Sequence, residues 1–388
     1  MIGDLKLLSK GDCKEMGQVY AETAGNQNKK VKVLMYYSCG NMIGGPVTYI
    51  NTIMNSDLKN KYTFSTCYQN KAPKGLNLKL LREMVKKIKE EKPDIVHVHG
   101  AQSEGFYGGL AAKLAGCKNI VMTIHGFAFD SSQCRGLKYF LYKYIIEPIS
   151  IKMATKVYCV CEFASKRKIV VKNVGDRNCG YIHNAVSELI PVESRGDIRK
   201  RYQIKNTDVL FCIAARISRD KGFDVLAKTI KILNQKGIQN FKMMVLGDGA
   251  YTEEFCGELK EEIATGQVIM IGRTNQVANY LFASDAFVFP SYHENLSIAL
   301  LEACMAGLAC IVSDVGGNSE IVKNGETGFV VENADPRVYA DKMETLIKDK
   351  ELLYRMQVEA RRDVQTRFSV VQMCEKIDEV YTSVIYKK

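Results

Sequence analysis

The sequence predicts an α/β protein of two doubly wound parallel-sheet domains facing across a cleft. Three observations lead there. A chain of 388 residues exceeds one ordinary core. Short apolar runs alternate with helical stretches and are interrupted once, by a polar segment without periodicity at residues 192–197. The residues that carry chemistry fall just after the apolar runs, at the strand ends where open parallel sheets bind ligands.

The elements follow in order. Residues 1–30 read as a polar leader with no clear period and no signal-peptide core. Residues 31–37 (VKVLMYY) form the first strand, and a loop containing Gly44-Gly45-Pro46 leads into a helix from about Val47. Strands at 94–99, 120–124, 156–160 and 180–183 complete a first domain, residues 31–192. The alternation restarts in residues 193–366, with strands at 209–214, 242–246, 268–271, 286–289 and 309–312. The last stretch has apolar residues at helical spacing, so residues 367–388 read as a terminal helix.

Composition narrows the class. Hydrophobic content of 46% and charged content of 25% are those of a soluble globular protein, and no apolar run reaches membrane-spanning length. Thirteen cysteines without a CxxC pair read as buried thiols in a reducing compartment, hence a cytoplasmic chain. Cys159 and Cys161 share a strand face but lack the neighbours of a metal site. Charge is uneven. Residues 1–194 carry 28 Lys+Arg against 16 Asp+Glu, a net of +12, and the second half carries −1. The basic half suggests an anionic partner, but it contains no recognisable nucleic-acid module. In residues 135–146 Lys138 and Lys143 alternate with aromatic and aliphatic residues. That pattern suits a helix lying on an anionic lipid surface, or a core-packed helix with snorkelling lysines.

The motifs point to one ligand. Arg216 and Lys221-Gly222 follow the first strand of the second domain. A planar guanidinium and a mobile ammonium suit a diphosphate whose charge grows as it leaves, although a solvated basic loop explains either cation alone. Gly247-Asp248-Gly249 and Gly272-Arg273 follow the next strands, and their glycines allow close backbone approach. After Pro290 stops a strand, Glu294 lies at the entrance of a helix that begins near Ser297, and Glu302 lies inside it. A helix entrance favours anions, so carboxylates there imply a ligand with both a diphosphate and hydroxyls, which is a nucleotide-sugar. An acidic N-cap plus a solvated glutamate is the plain alternative. In the functional reading, Arg216 and Lys221 take the phosphate charge and leave Glu294 and Glu302 free to hold hydroxyls. Gly316-Gly317 forms a further tight loop. In the first domain Gly44 and Gly45 can admit a phosphate or sugar, and His125-Gly126 ends a strand aimed at the cleft. His97 and His99 share one strand face and read as structural.

Taken together, Gly44-Gly45, His125-Gly126, Arg216-x4-Lys221-Gly222, Gly247-Asp248-Gly249, Pro290-Ser291 and Glu294-x7-Glu302 resemble the retaining glycosyltransferases of family 4, with the GT-B fold. The resemblance is densest from Ala215 to Gly328, where Ser313-Asp314-Val315-Gly316-Gly317 and Asn324-Gly325-Glu326-Thr327-Gly328 also match. It implies that Arg216 and Lys221 clamp the diphosphate, that Glu302 accepts from the ribose, and that Glu294 holds the transferred sugar. It further implies that the N–H groups of Asn295 and Leu296 face sugar or phosphate. Gly272 and Arg273 would border the base, and His125 would sit beside the sugar. Gly44 and Gly45 would lie near the phosphates, Gly247 would let the backbone approach the donor, and the terminal helix would cross back onto the first domain. Two positions depart from the pattern: Asn295 stands where many members have Gly, and Ala185 follows Asn184 where the family often has Gly.

The expected reaction moves a hexose or N-acetylhexosamine from a nucleotide diphosphate, most simply UDP, to an acceptor hydroxyl with retention. The sequence contains no Asp-x-Asp, so no metal is expected, and no cofactor beyond the donor. The expected acceptor is lipid-linked or a saccharide, in polysaccharide or glycolipid assembly on the inner membrane face. A nucleotide-sugar epimerase of the same architecture and an inactive donor-binding partner subunit are the competing readings.

Overall fold

The computed structural model describes residues 30–38, 44–69, 77–130 and 134–386; all of the polar leader except Lys30 lies outside them. Two six-stranded, wholly parallel sheets organise the chain. The first contains β1 (Val31–Ser38), β2 (Tyr62–Gln69), β3 (Ile95–His99), β4 (Ile120–Ile124), β5 (Lys156–Cys159) and β6 (Asn178–Tyr181), in the order β2-β1-β3-β4-β5-β6. The second contains β7 (Val209–Ala214), β8 (Phe241–Leu246), β9 (Val268–Gly272), β10 (Ala286–Phe289), β11 (Ala309–Ser313) and β12 (Gly328–Val331), in the order β12-β11-β10-β7-β8-β9. Strands β3, β4, β10 and β11 are buried along their whole length, as expected of a sheet covered by helices on both faces.

The strand order reverses at one place in each sheet. In the second sheet it reverses between β7 and β10, whose Ala286 and Phe287 pair with Phe211 and Cys212. A crevice opens outside the carboxyl ends at such a reversal, because the connections leave on opposite faces. The loops after β7 and β10 carry Arg216, Lys221 and Glu294. Topology therefore delivers the cations and a carboxylate to one crevice.

Two strands have no counterpart in the sequence reading, β2 and β12, and both are sheet edges. Thr, Ser and Gln interrupt the apolar pattern of β2, and β12 has only four residues. β6 also begins two residues earlier than residue 180, with Gly180 at φ +69° and a register shift against β5.

The helix Val370–Ile385 packs on the first sheet, although it follows the second in sequence. Its Met373, Ile377, Val380, Tyr381 and Val384 share a core with Val33, Met35, Tyr49, Ile50 and Tyr62. Residues Gly136–Leu141 and Tyr142–Ile146 form a continuous helical segment with a π-helical turn and bury no side chain. Leu137, Phe140, Tyr144 and Ile145 are exposed on it, which removes the core-packed alternative for this stretch. Among the described residues no helix is long and apolar enough to cross a membrane.

Candidate active site

The crevice of the second domain is built by glycines. Gly222 sits at φ +74°, and a Cβ there would collide with the carbonyl oxygen of Pro290. Gly316 lies at φ +60°, where a Cβ would strike the Glu294 carbonyl oxygen. These close approaches pin the 290–296 loop between the β7 and β11 loops. Gly247 is pressed in the same way against the Ala215 carbonyl, and its N–H donates to the Gly272 oxygen at 2.8 Å. The carboxyl ends of β7, β8 and β9 are thereby tied together.

Each cation on the β7 loop meets its own carboxylate. Lys221 Nζ lies 2.5 Å from Glu294 Oε1, and Glu294 is buried. The Lys221 ammonium also stands 5.7 Å from the Phe289 ring centroid. Arg216 Nη2 donates to Asp220 Oδ2 at 3.1 Å on an exposed surface. The expectation of a free Glu294 therefore needs correction: Lys221 already holds it. The N-cap alternative for Glu294 also falls, because Ser297 caps the helix Ile298–Met305 by accepting from Leu300 N at 3.3 Å.

The turn between Glu294 and that helix presents donors. The carbonyls of Asn295 and Leu296 are taken, by Gly317 N at 2.6 Å and Asn184 Nδ2 at 3.0 Å. Their N–H groups have no acceptor among the described residues. Asn184 thus has a definite task despite the Ala185 that follows it: it fixes the turn. Glu302 lies half-buried in the helix, and burial pushes its carboxyl from 4.5 up to about 7. Arg273 is exposed just beyond β9.

The first domain closes the other side. A Cβ on Gly45 would stand 3.7 Å from Ile298 Cδ1, and one on Gly126 would stand 2.9 Å from Asn295 Nδ2. Gly44 adopts φ +131° at the start of the helix Gly45–Asn55. Asn295 Oδ1 is buried without a partner among the described residues, an acceptor at the seam between domains. His125 is half-buried and neutral, its pKa pushed down to about 3 by burial. Its Nε2 faces His99 Nδ1 at 3.3 Å. Behind them His97 joins Tyr381 of the terminal helix at 2.7 Å and Thr123 at 2.7 Å, so its structural reading stands.

Two cross-domain contacts went unread in the sequence. Asp130 receives a two-pronged contact from Arg167 and lies 3.4 Å from His293 Nε2, next to Glu294. Glu320 accepts from His183 Nε2 at 2.8 Å and from the N–H groups of Glu162 and Phe163 at 2.9 and 2.7 Å. Burial pushes the Glu320 carboxyl up, yet His183 and the two N–H groups bring it below the usual range. Neither cluster has a sequence signature, because its members lie more than a hundred residues apart or join by chance of the fold.

The structure thus gathers Lys221, Glu294, Asn295 and Leu296, with Gly45 and Gly126 against them. Such a site offers cations, unpaired N–H donors and carboxylate acceptors, which together match a diphosphate bearing hydroxyl-rich ends.

Known proteins share this plan. Residues 194–363 match the family model described as glycosyl transferases group 1, and residues 51–160 match the one described as glycosyl transferase 4-like. The chain is 31% identical over 323 residues to the UDP-Gal:alpha-D-GlcNAc-diphosphoundecaprenol alpha-1,3-galactosyltransferase of Escherichia coli, covering 80% of this chain and 81% of that protein. It is 28% identical over 315 residues to the capsular polysaccharide biosynthesis glycosyltransferase CapM of Staphylococcus aureus, covering 79% and 81%. Among solved structures, Anabaena HepE in complex with UDP superposes with a TM-score of 0.74 at 16% identity, over 91% of this chain and 100% of that one. A likeness at that identity is one of fold.

Proposed function

This chain belongs to the group 1 glycosyltransferases of family 4 type with the GT-B fold, and from that premise we propose that it transfers a hexose or N-acetylhexosamine from UDP to an acceptor hydroxyl, with retention and without a metal. The observation that carries this reading is the Lys221–Glu294 pair, at 2.5 Å in the β7/β10 crevice. An ammonium has three donors, so Lys221 can hold Glu294 and a phosphate oxygen together. Arg216, exposed on the same loop, adds a planar second contact. The N–H groups of Asn295 and Leu296 receive the sugar or the second phosphate. Glu302 accepts from the ribose, from a half-buried position where burial pushes its carboxyl up to about 7. Glu294 holds sugar hydroxyls through the oxygen that Lys221 leaves available. Gly44 and Gly45 border the phosphates with Gly247, Gly272 and Arg273 border the base, and His125 lies beside the sugar.

The reaction proceeds on one face of the sugar. The acceptor oxygen bonds to the anomeric carbon as the bond to the phosphate oxygen breaks, and that oxygen takes the acceptor proton. Arg216, Lys221 and the loop N–H groups stabilise the departing charge. The sequence has no Asp-x-Asp, and these cations supply the charge a metal would otherwise carry. The UDP donor is supported by the E. coli relative and by HepE, whose names specify UDP-Gal and UDP. The first of these also names a lipid-diphosphate acceptor, and CapM is named for capsule synthesis. A lipid-linked acceptor at the cytoplasmic membrane face suits the +12 charge of residues 1–194 and the exposed apolar segment Gly136–Leu141.

Incubation with a UDP-sugar panel and an undecaprenyl-diphosphate saccharide, in excess chelator, tests the proposal. An α-linked product from an α-linked donor is expected. Inversion, dependence on divalent metal, or epimerised donor without transfer would overturn it. Co-sedimentation with vesicles should require anionic lipid and fall with salt, and insensitivity to both would sink the membrane assignment.

A further inference from the structure

The protons of the His99–His125 pair can be placed, and their placement selects what the site accepts. His99 ends β3 and His125 follows β4, with His99 Nδ1 and His125 Nε2 3.3 Å apart. Burial keeps both imidazoles neutral. A neutral ring has one N–H and one lone pair, so one ring donates here and the other accepts.

The far nitrogen of His99 decides which. His99 Nε2 lies 3.4 Å from Met35 Sδ in β1. A thioether sulfur can accept but has no hydrogen to give. The His99 proton therefore belongs on Nε2, and its Nδ1 carries the lone pair. His125 must then donate from Nε2, which leaves Nδ1 bare. The other neighbours do not reverse this order. His97 packs against His99 at 4.1 Å between ring centroids, with its own nitrogens engaged by Tyr381 and Thr123. Tyr49 meets both rings edge to face, at 5.9 and 5.1 Å, and its hydroxyl pairs with Tyr158 at 3.0 Å.

We propose that Met35 and His99 are positioning residues that fix His125 with Nδ1 as an obligate acceptor, so that it takes a hydrogen from a donor-sugar hydroxyl and disfavours a carboxylate at the same place. This rests on the reading of His125 as a donor-sugar contact. It narrows the donor to neutral sugars with a free hydroxyl at that position and disfavours uronic acids and the corresponding deoxy sugar. Loss of that hydroxyl leaves the His125 lone pair unmatched and should lower kcat/KM by about 10- to 100-fold.

Long-range proton–nitrogen NMR of the full chain, with nitrogen-15 histidine, reads the tautomers directly. His99→Gln and His125→Gln assign the signals. The expected spectrum shows both rings protonated at Nε2 and bare at Nδ1 near neutral pH. A proton on His125 Nδ1 would overturn the proposal. Met35→Leu keeps the volume and removes the acceptor. It should bring a second tautomer of His125 into view, and a spectrum identical to the parent would overturn the thioether's role. In transfer assays, one monodeoxy UDP-sugar should fall at least about tenfold and regain part of that loss in Met35→Leu. If every monodeoxy donor, and the uronic acid, performs within twofold of the parent sugar, the selection is refuted. Failure of the proposed function shows differently, as no transfer from any nucleotide-sugar, while the NMR needs no substrate.

Discussion

Glu302→Gln should stabilise the protein and weaken its hold on UDP, and pH separates the two effects. Burial raises the Glu302 carboxyl from 4.5 to about 7. The folded state therefore keeps a proton that the unfolded chain releases. Stability from this group is complete below about pH 4.5 and is lost as pH rises through about 7. A rise of that size corresponds to about 3 kcal/mol. The side chain keeps some exposure, and solvent screening reduces the figure to about 1 to 2 kcal/mol. Glutamine has no proton to lose, so the stability gap between variant and parent should widen by that amount from pH 5 to pH 8. For a domain of this size the midpoint gap grows by about 2 to 8 °C. UDP reports the opposite sign. At pH 8 the parent offers an ionised acceptor to ribose hydroxyls, and its loss should weaken UDP about 10- to 100-fold. Thermal unfolding at both pH values, with and without UDP, measures both quantities. A midpoint gap that does not change with pH would refute the buried ionisation. Unchanged UDP affinity would refute the ribose contact.

Lys221→Ala should lower kcat/KM by about 100- to 1000-fold and, by leaving the buried Glu294 unpaired, cost about 3 kcal/mol in urea unfolding. Adding Glu294→Gln to that variant should restore stability but not turnover, and recovery of both would contradict the charge role. Gly222→Ala forces a Cβ into the Pro290 carbonyl at a left-handed backbone position, so its urea midpoint should fall by an amount equivalent to about 2 to 4 kcal/mol; an unchanged midpoint would mean that the two loops do not meet this closely in solution. Glu320→Ala removes the acceptor shared by His183, Glu162 and Phe163. It should enlarge the radius of gyration measured by X-ray scattering, and an identical scattering curve would show that this contact does not hold the domains together.

The fold was legible where strands are buried on both faces. Residues 120–124, 209–214 and 286–289 read as strands with the bounds the structure gives them, because short, almost wholly apolar runs followed within two residues by a polar or chain-turning residue leave little choice. β2 and β12 were not legible, because edge strands carry polar residues or are too short to show a period. At the candidate site, position after a strand singled out Lys221, Glu294 and His125. Pairing was the part that sequence could not supply. Nothing local says that Lys221 neutralises Glu294, that Asn184 holds the Leu296 carbonyl, or that Asp130 reaches His293. The Asn184 and Asp130 contacts depend on how two separately built sheets come together, whereas the Lys221–Glu294 pair and the Met35 sulfur that orders the histidine protons depend on which strands become neighbours within one sheet.

The helix Val370–Ile385 gives the chain a particular order of completion. A polypeptide leaves the ribosome from its amino end, and domains tend to fold as they emerge. Here the first sheet lacks part of its own interior until residues 370–385 are made, because Ile377, Tyr381 and Val384 fill it and the Tyr381 hydroxyl satisfies buried His97. A nascent chain stopped between residues 331 and 370 carries both sheets but leaves an apolar face and a buried imidazole uncovered. Closure of the first domain therefore waits until the second has been made, and a product cut short within this helix leaves the interior of the first sheet open.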